Sequence, residues 1–371
     1  MVFSTSKANL IEQLNLVAPI LPTRSTKPIT ECILLDLKGD ILKFTATDLS
    51  ITYVSEIEVN GAEDGIIAVH GKKLISIIKG LPESTVTLKK EDNVLKIISG
   101  TIKFEITLTE DYSEFPRTPE TLSENKIEID SLKLKQYISK TVFAVSLDEL
   151  RAVLTGVLFS LKYNEITMVA TDSVRLVKLE DKNIKYEGED KDIILPAKSL
   201  NILSNAISGN ETLEINFEDN YIQFKLKNKV IFSRLINGKY PAYQAIIPVN
   251  NELKIKIERA SFIQSINRIS ITCNPLTKLL KAVFANNTIL ITSEDSSTSS
   301  KSEEYIDIEY DAEEIAVGFN SSKLIDLMKN IDTTNVEFNI GDPIRPIIIK
   351  PFDSDESFEY MMLIMPVRVG D

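Results

Sequence analysis

The chain repeats one pattern three times, and this repetition limits its possible folds more than any other feature. The stretch VATDSVRL, Val169 to Leu176, has an upstream copy, FTATDLSITY from Phe44 to Tyr53, and a weaker downstream one, LITSEDSSTS from Leu290 to Ser299. Matching Asp48, Asp172 and Glu294 sets the copies 124 and 122 residues apart, a domain-sized period far longer than a solenoid repeat. A second block follows each copy: VHGKKL at Val69 to Leu74, LPAKSL at Leu195 to Leu200 and FNSSKL at Phe319 to Leu324. A third block closes each unit at Pro116, Pro241 and Pro366, 125 residues apart both times. Three ordered blocks at one period imply tandem domains of one fold, with boundaries expected at 1–124, 125–250 and 251–371.

Within a unit the pattern predicts a short opening strand, an amphipathic helix, alternating hairpins and a second helix between them. In the first unit Leu10, Ile11, Leu14 and Val17 form the helical stripe, and Lys38-Gly39-Asp40 turns the first hairpin. GKKLISIIKGL is the second helix, ended by Gly80 and Pro82. The polar stretches TPETLSENK and PVNNELK separate the units as linkers. Two short helices among antiparallel hairpins in every unit place the chain in the α+β class.

A net charge of −12 argues against a nucleic-acid partner unless the bases are segregated onto one surface. On the helices they are segregated. Lys133, Gln136 and Lys140 share a face opposite Leu134, Tyr137, Ile138, Thr141 and Val142, and Lys72, Ser76 and Lys79 lie opposite Leu74, Ile77 and Ile78. Lys198, Arg268, Lys323 and Lys329 hold corresponding places. Any surface helix carries lysines for solubility, but their recurrence in an acidic chain favours a shared basic surface. Cys32 and Cys273 make no disulfide framework, so a reducing, cytoplasmic compartment is expected. The N-terminus does not read as a secretory signal and no apolar run approaches the roughly 18 residues that span a bilayer, so no membrane contact is expected.

Two other functions compete. Recurring acids at Asp48, Asp172 and Glu294 suggest a magnesium enzyme, but one acid per domain cannot share an ion. Thr-Asp at a strand-to-turn boundary instead bonds nearby backbone. With one histidine, His70, and no zinc spacing, phosphate loop or nucleophile elbow, no catalytic residue, metal or cofactor is expected. An acidic interaction scaffold that ignores DNA is the second alternative; salt-dependent DNA binding would separate the two.

These features together resemble one family over the full length, the bacterial DNA polymerase III beta subunits, which are processivity sliding clamps. The segments that carry the resemblance are RSTKPI (24–29), LTGVLF (154–159), ATDSVRL (170–176), NGKYPAYQAIIP (237–248), VGFNSSKL (317–324) and MPVRV (365–369). The resemblance implies three tandem clamp domains with antiparallel sheets outside and two helices per domain inside. It implies a head-to-tail homodimer closed as a ring around double-stranded DNA, gripping phosphates without sequence specificity. Arg24, Lys72, Lys79, Lys133, Lys140, Arg151, Lys198, Arg268, Lys323 and Lys329 are then the DNA-facing candidates.

The resemblance also implies partners: the polymerase III catalytic subunit, the clamp loader, and other polymerases and repair proteins that carry a clamp-binding peptide. Their peptide pocket maps onto Leu154, Thr171, Arg175, Leu176, Pro241, Ile246, Ile247, Asn320, Ile344, Pro346, Leu363, Met365, Pro366, Val367 and Arg368. The dimer seam maps onto Phe104 and Ile106, facing Ile271 and Thr272. Ser173, Val174 and Ala245 depart from the family pattern and make the pocket more apolar, and Gly370 and Asp371 run beyond the usual end.

Overall fold

A computed structural model describes residues 1–108, 110–117, 122 and 125–368. Most of the expected linker TPETLSENK and the tail residues Val369, Gly370 and Asp371 lie outside the described residues.

The first repeat opens with β1 (Val2–Ser6), α1 (Lys7–Val17), β2 (Cys32–Lys38), β3 (Ile41–Thr47) and β4 (Ile51–Glu58). It continues through β5 (Asn60–Glu63), β6 (Gly65–His70), α2 (Gly71–Gly80), β7 (Thr85–Glu91), β8 (Val94–Ser99) and β9 (Ile102–Thr107). The second repeat opens with β10 (Asn125–Asp130), α3 (Ser131–Thr141), β11 (Gly156–Lys162), β12 (Glu165–Thr171) and β13 (Arg175–Asp181). It closes with β14 (Lys191–Pro196), α4 (Ala197–Ala206), β15 (Thr212–Phe217), β16 (Tyr221–Lys225) and β17 (Lys229–Arg234). The third holds β18 (Leu253–Glu258), α5 (Arg259–Ile269), β19 (Leu279–Ala285), β20 (Thr288–Asp295) and β21 (Ser300–Asp307). It ends with β22 (Ile315–Asn320), α6 (Ser321–Lys329), β23 (Asn335–Ile340), β24 (Ile347–Pro351) and β25 (Glu359–Ile364). The expected order of strand, helix, hairpin, helix and hairpin therefore holds in all three repeats.

Local chemistry sets the helix starts. Ser6 accepts from the Asn9 N–H at 3.1 Å, Glu258 from the Ala260 N–H at 3.0 Å and Asn320 from the Lys323 N–H at 3.1 Å, each satisfying a first-turn donor. His70 caps α2 through Nδ1. The buried stripe of α1 is Leu10, Gln13, Leu14 and Val17, with Ile11 half-buried, and that of α2 uses Ile75 where Ile77 was expected.

The chain divides into two compact units that cut across the repeats, residues 1–135 with 198–235, and 136–197 with 236–371. Each unit is built where two adjacent repeats join their sheets. In the first, an eight-stranded sheet runs β10-β15-β16-β17-β4-β3-β2-β6, so β17 of the second repeat pairs antiparallel with β4 of the first. In the second, the order is β14-β11-β12-β13-β25-β24-β23-β18, with β25 of the third repeat against β13 of the second. Ile231 stands opposite Tyr53 in one joint and Met362 opposite Val177 in the other, all four fully buried. A smaller sheet completes each unit, β5-β1-β7-β8-β9 in the first and β21-β20-β19-β22 in the second.

The ladders correct one sequence match. Thr45, Val169 and Thr292 occupy equivalent rungs, opposite Leu34, Leu158 and Lys281. Glu294 therefore matches Thr47 and Thr171, and Asp295 is the true counterpart of Asp48 and Asp172. Asp295 also does their work, accepting from the Ser297 N–H at 3.1 Å. The third hairpin is two residues longer, pairing Glu294 with Lys301 where Thr47 pairs with Thr52, which hid the match. Among the described residues no helix is long and apolar enough to cross a membrane.

Candidate partner pocket and basic helix faces

The hairpin at the end of β12 is locked by its own side chains. Thr171 Oγ1 donates to the Arg175 carbonyl at 2.6 Å, and Asp172 Oδ1 accepts from the Val174 and Arg175 N–H groups at 3.0 Å each. The buried Arg175 guanidinium donates to Asp326 at 2.8 Å and to the Phe143 carbonyl at 2.7 Å, and lies 5.3 Å from the Phe143 ring centroid. Its Nε sits 3.2 Å from Asp172 Oδ2 as an ion contact without hydrogen-bond alignment. Thr171 and Arg175 thus hold the frame from inside.

Against this frame packs an apolar cluster of Leu154, Leu158, Val169, Leu176, Ile194, Tyr240, Tyr243 and Leu363, with Val153, Ile236, Ile247, Met361 and Met365 half-covering it. Ile247 and Met365 also wall a cleft of about 680 Å³, together with Ile246, Pro248, Asn250, Asn251, Arg345 and Pro346. The expected linker PVNNELK thus forms part of the cleft wall, fixed by Asn251 Nδ2 donating to the Asn339 and Pro346 carbonyls at 2.8 and 3.0 Å. The C-terminal strand is tied down beside it. Met365 N–H donates to the Val174 carbonyl and Val367 N–H to the Gly318 carbonyl, both at 2.8 Å. Burial pushes the Tyr240 and Tyr243 phenols above their ordinary range, so the cluster is uncharged at physiological pH.

Of the expected pocket residues, Leu154, Leu176, Ile246, Ile247, Pro346, Leu363 and Met365 come together here. Asn320 instead caps α6, and Ile344 is exposed on the loop after β23 and does not line the cleft. Pro241 and Arg368 are exposed, and Pro366 and Val367 half-buried. Sequence reasoning missed Tyr240 and Tyr243. Their signal was the pair of aromatics flanking Pro241 inside NGKYPAYQAIIP.

The basic candidates differ in exposure and in what holds them. Arg24, Lys72, Lys79 and Lys329 are exposed and make no ion pair among the described residues. Lys198, Lys323, Arg151 and Arg268 are held by Asp48, Asp172, Asp148 and Glu304, and Lys133 is half-buried. Lys140 overturns its expected place on an outer face. It is buried, donates to Asp332 and to the Asn330 carbonyl, and lies 5.4 Å from the Tyr360 ring centroid. A side chain so enclosed cannot reach a phosphate. Among the described residues no group of three or more His, Cys, Asp or Glu is placed to hold a metal ion.

The expected seam residues differ in exposure. Phe104 is 39% exposed on β9, whereas Ile106, two residues on, is 2% exposed and belongs to the core of its own sheet. Ile271 is 83% exposed, and Thr272 hydrogen-bonds Ser302 on β21.

Tandem domains of paired helices and hairpins, sheets joined from repeat to repeat, and an apolar cleft beside such a joint define a clamp-type protein. The three domains of the DNA polymerase III beta subunit match in order, the N-terminal domain over residues 1–119, the central over 128–242 and the C-terminal over 244–368. The beta sliding clamp of Staphylococcus epidermidis is 31% identical across 99% of both chains, and that of Staphylococcus aureus 30% identical across the same share. Among solved structures, the DNA polymerase sliding clamp of Bacillus subtilis superposes with a TM-score of 0.90 at 29% identity, covering all of both chains. The sliding clamp of Pseudomonas aeruginosa bound to griselimycin does so with a TM-score of 0.92 at 26% identity, again over all of both chains. The chain belongs to the DNA polymerase III beta subunit family of sliding clamps.

Proposed function

We propose that the chain is the non-catalytic processivity clamp of a replicative polymerase in the bacterial cytoplasm. Two copies close head to tail around duplex DNA, and the ring slides without reading sequence. The observation that carries this reading is the full-length correspondence, domain by domain, with sliding clamps. We place the domain boundaries at 1–124, 125–250 and 251–371, close to the matched spans 1–119, 128–242 and 244–368, and the correspondence disfavours an acidic scaffold that ignores DNA. Arg24, Lys72, Lys79 and Lys329, exposed and without ion-pair partners among the described residues, supply the standing attraction to phosphates. Lys198, Lys323, Arg151 and Arg268 join them only by leaving an acidic partner, which keeps the grip loose enough to slide.

The cleft walled by Ile246, Ile247, Pro346 and Met365 takes a short linear peptide with apolar anchors, as an uncharged floor rimmed by Asn251 and Arg345 would favour. Such peptides are carried by the polymerase catalytic subunit, the clamp loader and repair proteins. Retention on DNA tests the whole reading. Loaded on a circular plasmid, the protein should co-elute with it through gel filtration and be lost after one cut that linearises the circle. Equal retention on cut and uncut plasmid would rule out encirclement.

A further inference from the structure

The two joints between repeats share a register but not a covering. Ile231 and Met362 hold the same rung, opposite Tyr53 and Val177, but the hairpin turns that lead into them differ in length. Six residues separate Phe224 from its partner Ile231, whereas twelve separate Ile349 from Met362. The longer turn folds back over α3. Phe358 packs edge-on against Tyr137 at 5.2 Å between ring centroids, and Glu356 accepts from Gln136 Nε2 at 3.1 Å. Gln136 and Tyr137 are the sixth and seventh residues of that helix, and Glu12 and Gln13 hold the same places in α1.

At the first joint the short turn provides no such cover. It leaves a cleft of about 670 Å³ between α1, the end of β4 and the turn itself, lined by Glu12, Gln13, Glu56, Glu58, Glu211 and Lys227. A second hollow of about 580 Å³ continues from it past Asn9, Ile41 and Glu58, which line both, and adds Asp40. Glu12, Glu56 and Glu58 are exposed and make no ion pair among the described residues. Gln13 is 4% exposed, yet its Oε1 has no hydrogen-bond partner among them. A buried acceptor left unpaired is unfavourable, and a donor entering the cleft would satisfy it.

We infer that this cleft docks a basic segment of a partner protein, with lysine or arginine on either side of one apolar side chain. The second joint shows that the place takes polypeptide, since the turn carrying Glu356 and Phe358 fills it there. The residues of the first joint reverse the chemistry required of the occupant. Gln136 donates to a carboxylate, but an ionised Glu12 can only accept, so it repels a carboxylate and holds an ammonium or guanidinium. Gln13 likewise offers an unpaired acceptor where Tyr137 offers a ring. Asp40, Glu12, Glu56, Glu58 and Glu211 against Lys227 alone make the local field negative, which excludes nucleic acid and attracts a basic chain. Ile41, 41% exposed, supplies the apolar contact. The cleft lies at the far end of β4 from the Asp48 turn and shares no residue with the cleft beside Met365, so docking needs neither ring closure nor that pocket.

A fluorescein-labelled peptide, Ser-Gly-Arg-Lys-Leu-Lys-Arg-Gly-Ser, tests the assignment on the full chain by anisotropy at low salt. Glu12→Gln combined with Glu58→Gln should weaken it about threefold to thirtyfold. Glu313→Gln combined with Glu314→Gln changes net charge equally on the loop before β22 and should leave affinity within about twofold. All four positions are exposed, so both double variants should melt as the unaltered chain does. Spermine, a polycation with no apolar side chain, should compete only weakly. Equal losses from both double variants would reduce the binding to the general attraction of an acidic chain for a cation and overturn the site. No loss from either would overturn it as well, and spermine competing at the peptide's own concentration would replace the protein segment with a small polyamine.

Discussion

Lys323 Nζ lies 2.6 Å from Asp172 Oδ2, and the same bridge recurs between Lys198 and Asp48, also at 2.6 Å. Each ties the hairpin of one repeat to the second helix of the next. Asp172 is the more enclosed acid, and burial alone would raise its carboxyl. Lys323 and the Arg175 and Val174 N–H groups outweigh that and hold it below the ordinary carboxylate range.

A folded value below the unfolded one, about 3.9, gives stability that is present above that pH and lost as pH falls through the folded value. Asp172→Asn should therefore lower the urea midpoint near pH 7, with a cost of about 1–3 kcal/mol. It should also flatten the acid limb of a midpoint-against-pH curve below about pH 4. An acid limb as steep as that of the unaltered protein would show that Asp172 does not carry the effect.

Lysines that look alike on a helical wheel should behave in opposite ways. Lys72→Ala and Lys79→Ala should leave the unfolding free energy within about 0.5 kcal/mol, as exposed positions do. Each should cut the slope of log affinity for duplex DNA against log salt by about one if its lysine meets a phosphate. Lys140→Ala should do the reverse, costing about 1–3 kcal/mol of stability through its lost contacts with Asp332, Asn330 and Tyr360. Its salt slope should not change.

The contrast marks where sequence reading stopped. The repeat disclosed three domains and two helices in each because period and block order are local properties of the chain. The burial of Lys140 was not visible, because α3 is covered on its supposed outer face by Asp332 and Tyr360, about 200 residues away along the chain. The Lys198 and Lys323 bridges were hidden for the same reason. The mismatch of Glu294 arose differently: a hairpin two residues longer displaced the turn, and only the strand ladder restores Asp295 to its place. At the candidate pocket the quoted motifs bring Leu154, Leu176, Ile247, Leu363 and Met365 into one apolar cluster. They did not separate Leu176 and Leu363, which form the floor, from Arg175, which braces it from behind.

Backbone geometry in the first of these hairpins gives a stability prediction. Leu49 has φ +73°, in the left-handed region that costs a side chain roughly 1–2 kcal/mol. The turn is held regardless, because Asp48 Oδ1 accepts from the Ser50 and Ile51 N–H groups at 3.0 and 2.7 Å. Leu49 is exposed, so Leu49→Gly loses little packing and should raise the unfolding free energy by about 0.5–1 kcal/mol, read as a higher urea midpoint at unchanged slope. A loss of stability would mean that glycine's extra freedom in the unfolded chain outweighs the relief of strain.

The pocket is best tested by two residues whose expected roles the structure separates. Met365 is half-buried, packs on the Leu176 and Leu363 floor and walls the cleft; Ile344 is exposed and lines no part of it. Removing Met365 to the β-carbon deletes surface that a bound peptide would cover, worth about 1–2 kcal/mol in binding. Met365→Ala should thus weaken a fluorescent clamp-binding peptide, followed by anisotropy, between about fivefold and thirtyfold. Its backbone N–H still reaches the Val174 carbonyl, so the C-terminal strand stays in place and the melting temperature should shift only slightly. Ile344→Ala should leave affinity within about twofold. Equal losses from both would move the binding surface to the loop after β23, and no loss from Met365→Ala would place the peptide elsewhere on the chain.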